Sequence, residues 1–329
     1  MLVFQAPFGT TCRIFRTFPG LPDVLVTGAT GAIGTDLVPR LLRAGRRVRA
    51  FARDPARVTA EGLAEVVRGD AVTGAGLREA LAGVEIAYYL LHSMETVAQA
   101  DGPFADRERR SADNFARAAA RAGVRRIVYL GGLVPRGAPP SPHLASRLEV
   151  EDLLLAAAPE AVALRASIVI GARSRSFRFL VRLVERVPVM LLPDWRDNRT
   201  APIDGRDVMA YLVAAGTSGA VDGPLSLDVG GPEVMTYGAM IERIRDAMLV
   251  GRPRLDLPLR LTAVTSRIAA AIAGEDPALI EPLMGSLGSD LLPGDERARE
   301  LFGVRLHSFD AAVEHALGEW EAAEELAGR

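Results

Sequence analysis

Residues Asp23 to Arg53 read DVLVTGATGAIGTDLVPRLLRAGRRVRAFAR, and this stretch decides the fold. A short apolar run, Val24 to Val26, leads into a glycine-rich turn; about three turns of helical pattern follow, and a second apolar run spans Val48 to Ala52. That order is one βαβ unit. The turn Thr27-Gly28-Ala29-Thr30-Gly31-Ala32-Ile33-Gly34 spaces its glycines as GxxGxxG. The tight turn needs Gly28, close approach of backbone to a pyrophosphate needs Gly31, and packing of the helix on the sheet needs Gly34. The helix then offers unpaired N–H groups and the positive end of its dipole to phosphates. The whole turn, with Ala29, Thr30, Ala32 and Ile33, is therefore the expected seat of a dinucleotide.

The end of the second strand bears on which dinucleotide. An NAD site usually places Asp or Glu there for the ribose 2′-hydroxyl, whereas an NADP site places Arg near the 2′-phosphate. This chain reads Ala52-Arg53-Asp54-Pro55, with the arginine where the acid would stand and Asp54 one place late. The expectation is NADP(H), held in part by Arg53; the alternative is that Arg53 is a solvated surface charge.

Composition narrows the class. With 329 residues, 49% hydrophobic, 24% charged and a net charge of −2, the chain can bury a large core and has no basic excess calling for nucleic acid. No run of about 20 apolar residues suggests a membrane span. The single cysteine, Cys12, excludes an intrachain disulfide and fits a reducing cytoplasm. His92, His143, His307 and His315 show no metal-ligand spacing, so no metal is expected. All 39 basic residues are arginine, which excludes any mechanism that requires a lysine ammonium. The expected partner is a small-molecule substrate, and the chain is expected to be a monomer or homodimer.

Further along, strands are expected at Leu63–Arg68, Val84–Leu91, Arg126–Leu130 and Ala161–Ala166. Helices are expected at Leu77–Ala82, with a start near Thr73 if Asp70 caps it, at Pro103–Ala122 and at Pro142–Ala157. Alternation at this spacing implies an α/β fold with a doubly wound parallel sheet. Asp70 either accepts a hydrogen bond from an adenine amino group or caps the following helix. Ala71, Leu91, His92 and Ile168 fall at strand ends near the point where ligands bind in such sheets. Residues 1–22 read as a flexible extension or as a stretch ahead of the true start, and residues 23–170 as the cofactor-binding core. Residues 171–329 read as a smaller, mostly helical substrate lobe interleaved with the core. In that lobe Phe177, Phe179, Met190, Leu191, Leu192 and Trp195 are either pocket wall or ordinary core.

Together with TGATGAIG, the runs YYLLHSM (Tyr88 to Met94), RIVYLGGL (Arg126 to Leu133) and SPHLASRLEVEDLL (Ser141 to Leu154) carry a resemblance over roughly residues 23 to 250. The sequence resembles the atypical, extended-type short-chain dehydrogenase/reductases, in particular their NmrA-like, NAD(P)H-binding branch. The resemblance implies a Rossmann core carrying NADP(H), a C-terminal substrate lobe and, in many members, hydride transfer. Catalytic members of the family use Asn, Ser and a Tyr-x-x-x-Lys pair. By motif, Asn114 stands at the Asn position, Gly132 at the Ser position, and His143 and Arg147 at the Tyr and Lys positions. His143 is read either as a proton donor near neutral pH or as a cap of its helix. Arg147 is read as a holder of ribose hydroxyls or as a charge without catalytic duty. His92 is a second candidate acid, or a polar residue satisfying loop backbone. The expected function is an NADP(H)-dependent reductase of a small apolar or aromatic carbonyl or activated alkene. The alternatives are a non-catalytic NADP(H)-binding sensor or assembly subunit, and a redox-neutral enzyme such as an epimerase.

Overall fold

A computed structural model describes residues 23–91, 104–256, 284–322, 324 and 326. His92, the extension 1–22 and part of the C-terminal stretch expected to be helical lie outside the described residues.

Strands β1 (Val24–Thr27), β2 (Val48–Ala52), β3 (Glu65–Arg68), β4 (Ile86–Tyr89), β5 (Arg126–Gly132) and β6 (Val162–Ala166) build one sheet with the later β11 (Leu225–Val229). The order is β11-β6-β5-β4-β1-β2-β3, and every pairing in it is parallel. β1 and β4 are buried along their whole length, as strands covered on both faces must be. One face is packed by α1 (Ala32–Arg43) and α6 (Gly205–Thr217), whose Leu37, Leu41, Val208 and Leu212 meet Val24 and Val26. The other face takes α2 (Leu77–Leu81), α3 (Phe104–Ala122) and α4 (Pro142–Leu155), with Phe115, Val150 and Leu154 packed with Leu25 and Ala87. The strand order reverses between β1 and β4, and that crevice is where open α/β sheets bind ligands.

A separate apolar cluster forms around α5 (Arg175–Arg186), α7 (Tyr237–Ala247) and α9 (Phe309–Glu321). Short strands trim this lobe: β7 (Val169–Ile170) with β10 (Ile203–Asp204), β9 (Arg199–Thr200) with β12 (Met235–Thr236), and β8 (Met190–Leu192) with β13 (Arg254–Asp256). Between α8 (Arg297–Phe302) and α9 the chain is pinned to α6, since both the backbone N–H and Nδ1 of His307 bond the buried Asp207 carboxylate, at 2.8 and 2.6 Å.

The segment after β3 departs from expectation. No helix begins near Thr73; α2 starts at Leu77, after Gly76 in the left-handed region (φ 76°). The Asp70 carboxylate accepts the Val72 N–H at 2.8 Å and the backbone of Asp70 pairs with Ala75, so these residues close a turn instead. Asp70 therefore does not cap the helix.

Candidate cofactor and substrate cleft

The glycine turn is built by close approach. Gly28 has φ 66°, and a Cβ there would stand 2.6 Å from the Leu90 carbonyl oxygen. A Cβ on Gly34 would stand 2.2 Å from the Gly28 oxygen, so α1 rests directly on the turn. Thr27 stitches the switch point shut beneath them: its hydroxyl donates to the Tyr88 carbonyl at 3.0 Å and accepts from the Leu90 N–H at 3.1 Å. Gly31 is exposed and begins α1 without a side-chain cap. The first N–H groups of that helix have no acceptor inside it. This cradle fits a diphosphate, and a Cβ at either Gly28 or Gly34 would collide with the backbone that shapes it.

A cleft of about 770 Å³ runs from this turn across the sheet edge to the lobe. Arg53 lines it, as do Arg40 and Arg57. The Asp54 carboxylate accepts the Ala56 N–H at 3.1 Å, which fixes the turn after β2. Asp36, on α1 and also lining the cleft, is raised in pKa by burial, against the lowering influence of Arg173 and Arg40.

Of the expected cofactor residues, Gly28, Thr30, Gly31, Ala32, Ile33, Gly34, Arg53 and Ile168 line the cleft. Ala29 is buried against the core beneath the turn. Asp70, Ala71 and Leu91 are not among the lining residues; Leu90, next to Leu91, is. Asn114 is not brought to the cleft either. Its Nδ2 donates to the carbonyls of Ala71 (3.1 Å) and Val72 (2.9 Å), so it holds the loop after β3 in shape.

His143 and Arg147 do reach the cleft, one helical turn apart on α4. His143 does not cap that helix, because Ser141 is the N-cap and its hydroxyl accepts the Leu144 N–H. The His143 ring lies 5.9 Å from the Phe104 ring, and its Nδ1 is sealed from water without a hydrogen bond among the described residues. Burial first, and the Arg147 charge second, push its pKa down to about 4. The imidazole is thus neutral at pH 7 and not the acid expected near neutrality. Arg147 is 8% exposed; its Nη2 donates to the Leu130 carbonyl at 2.5 Å, and its guanidinium lies 5.5 Å from the Tyr129 ring. A Cβ on Gly132 would stand 3.1 Å from Leu144 Cδ2, so a side chain at the Ser position would press on α4.

The lobe wall contains Phe179, Leu180, Trp195, Met240, Ile241 and Met284. Phe177, Met190 and Leu192 are core behind it, and Leu191 is exposed. Sequence reasoning missed Ser167, Thr200 and Tyr237, which also line the cleft. Tyr237 is the first residue of α7, whose cap Thr236 accepts the Ala239 N–H with its hydroxyl.

A doubly wound sheet with a glycine cradle at its switch point, open to a lobe, defines a nicotinamide-dinucleotide oxidoreductase. The comparisons agree. Residues 28–168 match the model of the NAD(P)H-binding family. The (4-alkanoyl-5-oxo-2,5-dihydrofuran-3-yl)methyl phosphate reductase of Streptomyces griseus is 32% identical over 236 residues, covering 70% of this chain and 74% of that enzyme. The ceramide reductase of Caulobacter vibrioides is 31% identical over 193 residues, 58% of this chain and 60% of that protein. In fold, the chain is similar to the crystal structure of gox2253 (TM-score 0.71, 20% identity, 92% of this chain and 98% of that one). It is also similar to MoeE5 in complex with UDP-glucose and NAD (TM-score 0.68, 21% identity, 91% and 98%). The chain belongs to the atypical short-chain dehydrogenase/reductases.

Proposed function

We propose that this protein is an NADP(H)-dependent reductase of a small apolar or aromatic substrate bearing an activated alkene or a carbonyl. The observation that carries the reading is the continuity of the cleft, from a diphosphate cradle flanked by three arginines to an apolar lobe wall. When bound, the dinucleotide supplies the hydride. Arg53, with Arg40 and Arg57 beside it, favours the extra phosphate of NADP(H) over the bare ribose hydroxyl. Arg147 lies nearly buried beneath the C-terminal end of β5, where it orients what binds against Leu130 and Gly131. His143, neutral at pH 7, presents a ring and no cationic acid.

A conjugated alkene suits such a site, because hydride can be accepted at carbon while the proton comes later from water. The Streptomyces griseus relative is named as a reductase of an oxo-dihydrofuran, which supports that substrate class. A non-catalytic binding role would fit a cleft that ended at the cradle, whereas this one continues onto Phe179, Leu180, Met240 and Ile241 of the lobe.

The test is steady-state oxidation of NADPH and of NADH with a panel of enones, quinones and aromatic ketones, for the wild type and Arg53→Ala. The expected result is turnover with NADPH, and a loss of roughly tenfold in NADPH affinity with NADH little changed in the variant, as for one charge-assisted phosphate contact. Tight binding with no turnover of any acceptor would sink the reductase reading.

A further inference from the structure

The lobe side of the cleft is apolar except at one spot. Trp195 and Tyr237 both line the cleft and are 7% and 1% exposed. Their rings meet edge to face, with centroids 6.3 Å apart and planes at 79°. The Trp195 Nε1–H and the Tyr237 hydroxyl are both sealed from water and make no hydrogen bond among the described residues. The polar neighbour of the Tyr237 hydroxyl is Thr200, whose influence lowers the phenol's pKa against the larger raising effect of burial. The Thr200 hydroxyl in turn lies 3.0 Å from that of Ser167. Ser167 directly follows β6 and precedes Ile168, at the sheet edge of the cleft. The Tyr237 hydroxyl is therefore separated from that edge by one pair of hydroxyls, and the Trp195 ring packs edge-on beside it.

A buried donor with nothing to donate to is unfavourable, and native folds keep few of them. Two at adjacent positions in one cleft wall call for a ligand that satisfies both. An indole N–H can only donate, and burial keeps the phenol protonated, so both groups ask for an acceptor. Neither carries charge, which suits a neutral oxygen better than an anion.

We propose that Trp195 Nε1–H and Tyr237 O–H form the anchor for one neutral oxygen acceptor, a ketone or lactone carbonyl, on an otherwise apolar substrate. This rests on the reductase reading and names the end of the substrate that enters the lobe. The anchor makes no covalent bond and moves no proton; it holds the substrate against the sheet edge. A ligand reaches the donors by spreading the wall, which includes Met240 and Met284, unbranched side chains that shift readily.

Two probes of one shape separate an oxygen anchor from mere apolar fit: 2-acetylnaphthalene, and 2-isopropenylnaphthalene, in which CH₂ replaces the carbonyl oxygen. Each is titrated by calorimetry into protein saturated with NADP⁺, so that no hydride is delivered. The wild type should prefer the ketone by about tenfold, and Tyr237→Phe and Trp195→Phe should each cut that preference to roughly threefold or less. Tyr237→Phe should also melt at or above the wild-type temperature, since it deletes an unsatisfied group. A lower melting temperature would mean that the hydroxyl is already partnered in the fold, against the proposal. Equal wild-type affinity for the two probes, or a preference that survives both substitutions, overturns it. Failure to saturate with either dinucleotide counts against the oxidoreductase reading instead, and the probe preference of the free protein then decides the anchor.

Discussion

An imidazole packed near Phe104 and faced by an arginine one turn away binds its proton weakly, and that has a consequence for stability. His143 has an ordinary value of 6.5 in the unfolded chain and about 4 in the fold. Between those values the unfolded state binds the extra proton, so stability is fully present above about pH 6.5 and is lost as pH falls towards 4. The loss should be on the order of 1–3 kcal/mol, given 1.36 kcal/mol per unit and partial exposure of the ring. Urea midpoints at pH 7.5 and 4.5 check this: His143→Gln should narrow the gap between them by that amount, and an unchanged gap would contradict the assignment. Arg53 and the glycines were legible because their chemistry depends on adjacent positions in the chain. The neutrality of His143 was not, because it depends on a ring from α3 and on how deeply α4 is seated.

At the scale of elements, the turn between β1 and α1 makes two distinct demands on its glycines, which substitution should separate. A methyl on Gly34 meets backbone at 2.2 Å, and neither α1 nor the turn can yield without the other. Gly34→Ala should therefore destabilise the fold by about 2–4 kcal/mol. A methyl on Gly31 meets only the Gly28 oxygen, at 3.2 Å, and projects from an exposed position. Gly31→Ala should leave stability within about 1 kcal/mol of wild type yet weaken NADPH binding by roughly tenfold, because it stands where a diphosphate approaches. Denaturant titration and dinucleotide titration on both variants read the two effects apart. The βαβ elements were legible from period and turn chemistry. The short strands β7, β9, β10 and β12 were not, since two residues carry no period. α2 starts at Leu77 as its pattern placed it, and no helical turn forms near Thr73 because Asp70 and Thr73 close a turn more readily than they open a helix.

For the whole molecule, the decisive feature is that β11 leaves the lobe region and returns to the sheet beside β6, so that lobe and sheet cannot part without breaking pairing. Arg126 adds to this tie. It is 1% exposed and donates to the carbonyls of Ala215, Gly216 and Ser218 at the end of α6, while its guanidinium pairs with Glu160. Core and lobe should therefore unfold in one transition, and a ligand held in the cleft between them should raise the stability of both. At a concentration 100 times its dissociation constant, a dinucleotide adds about 2.7 kcal/mol. For a chain of this size that is a rise of roughly 4 °C in melting temperature. NADPH should give that rise and equimolar NADH a smaller one, with the difference abolished in Arg53→Ala. Differential scanning calorimetry reads both points at once. A second transition that NADPH leaves unmoved would show a lobe that folds independently of the sheet, and equal shifts from the two dinucleotides would remove the arginines from the 2′-phosphate site.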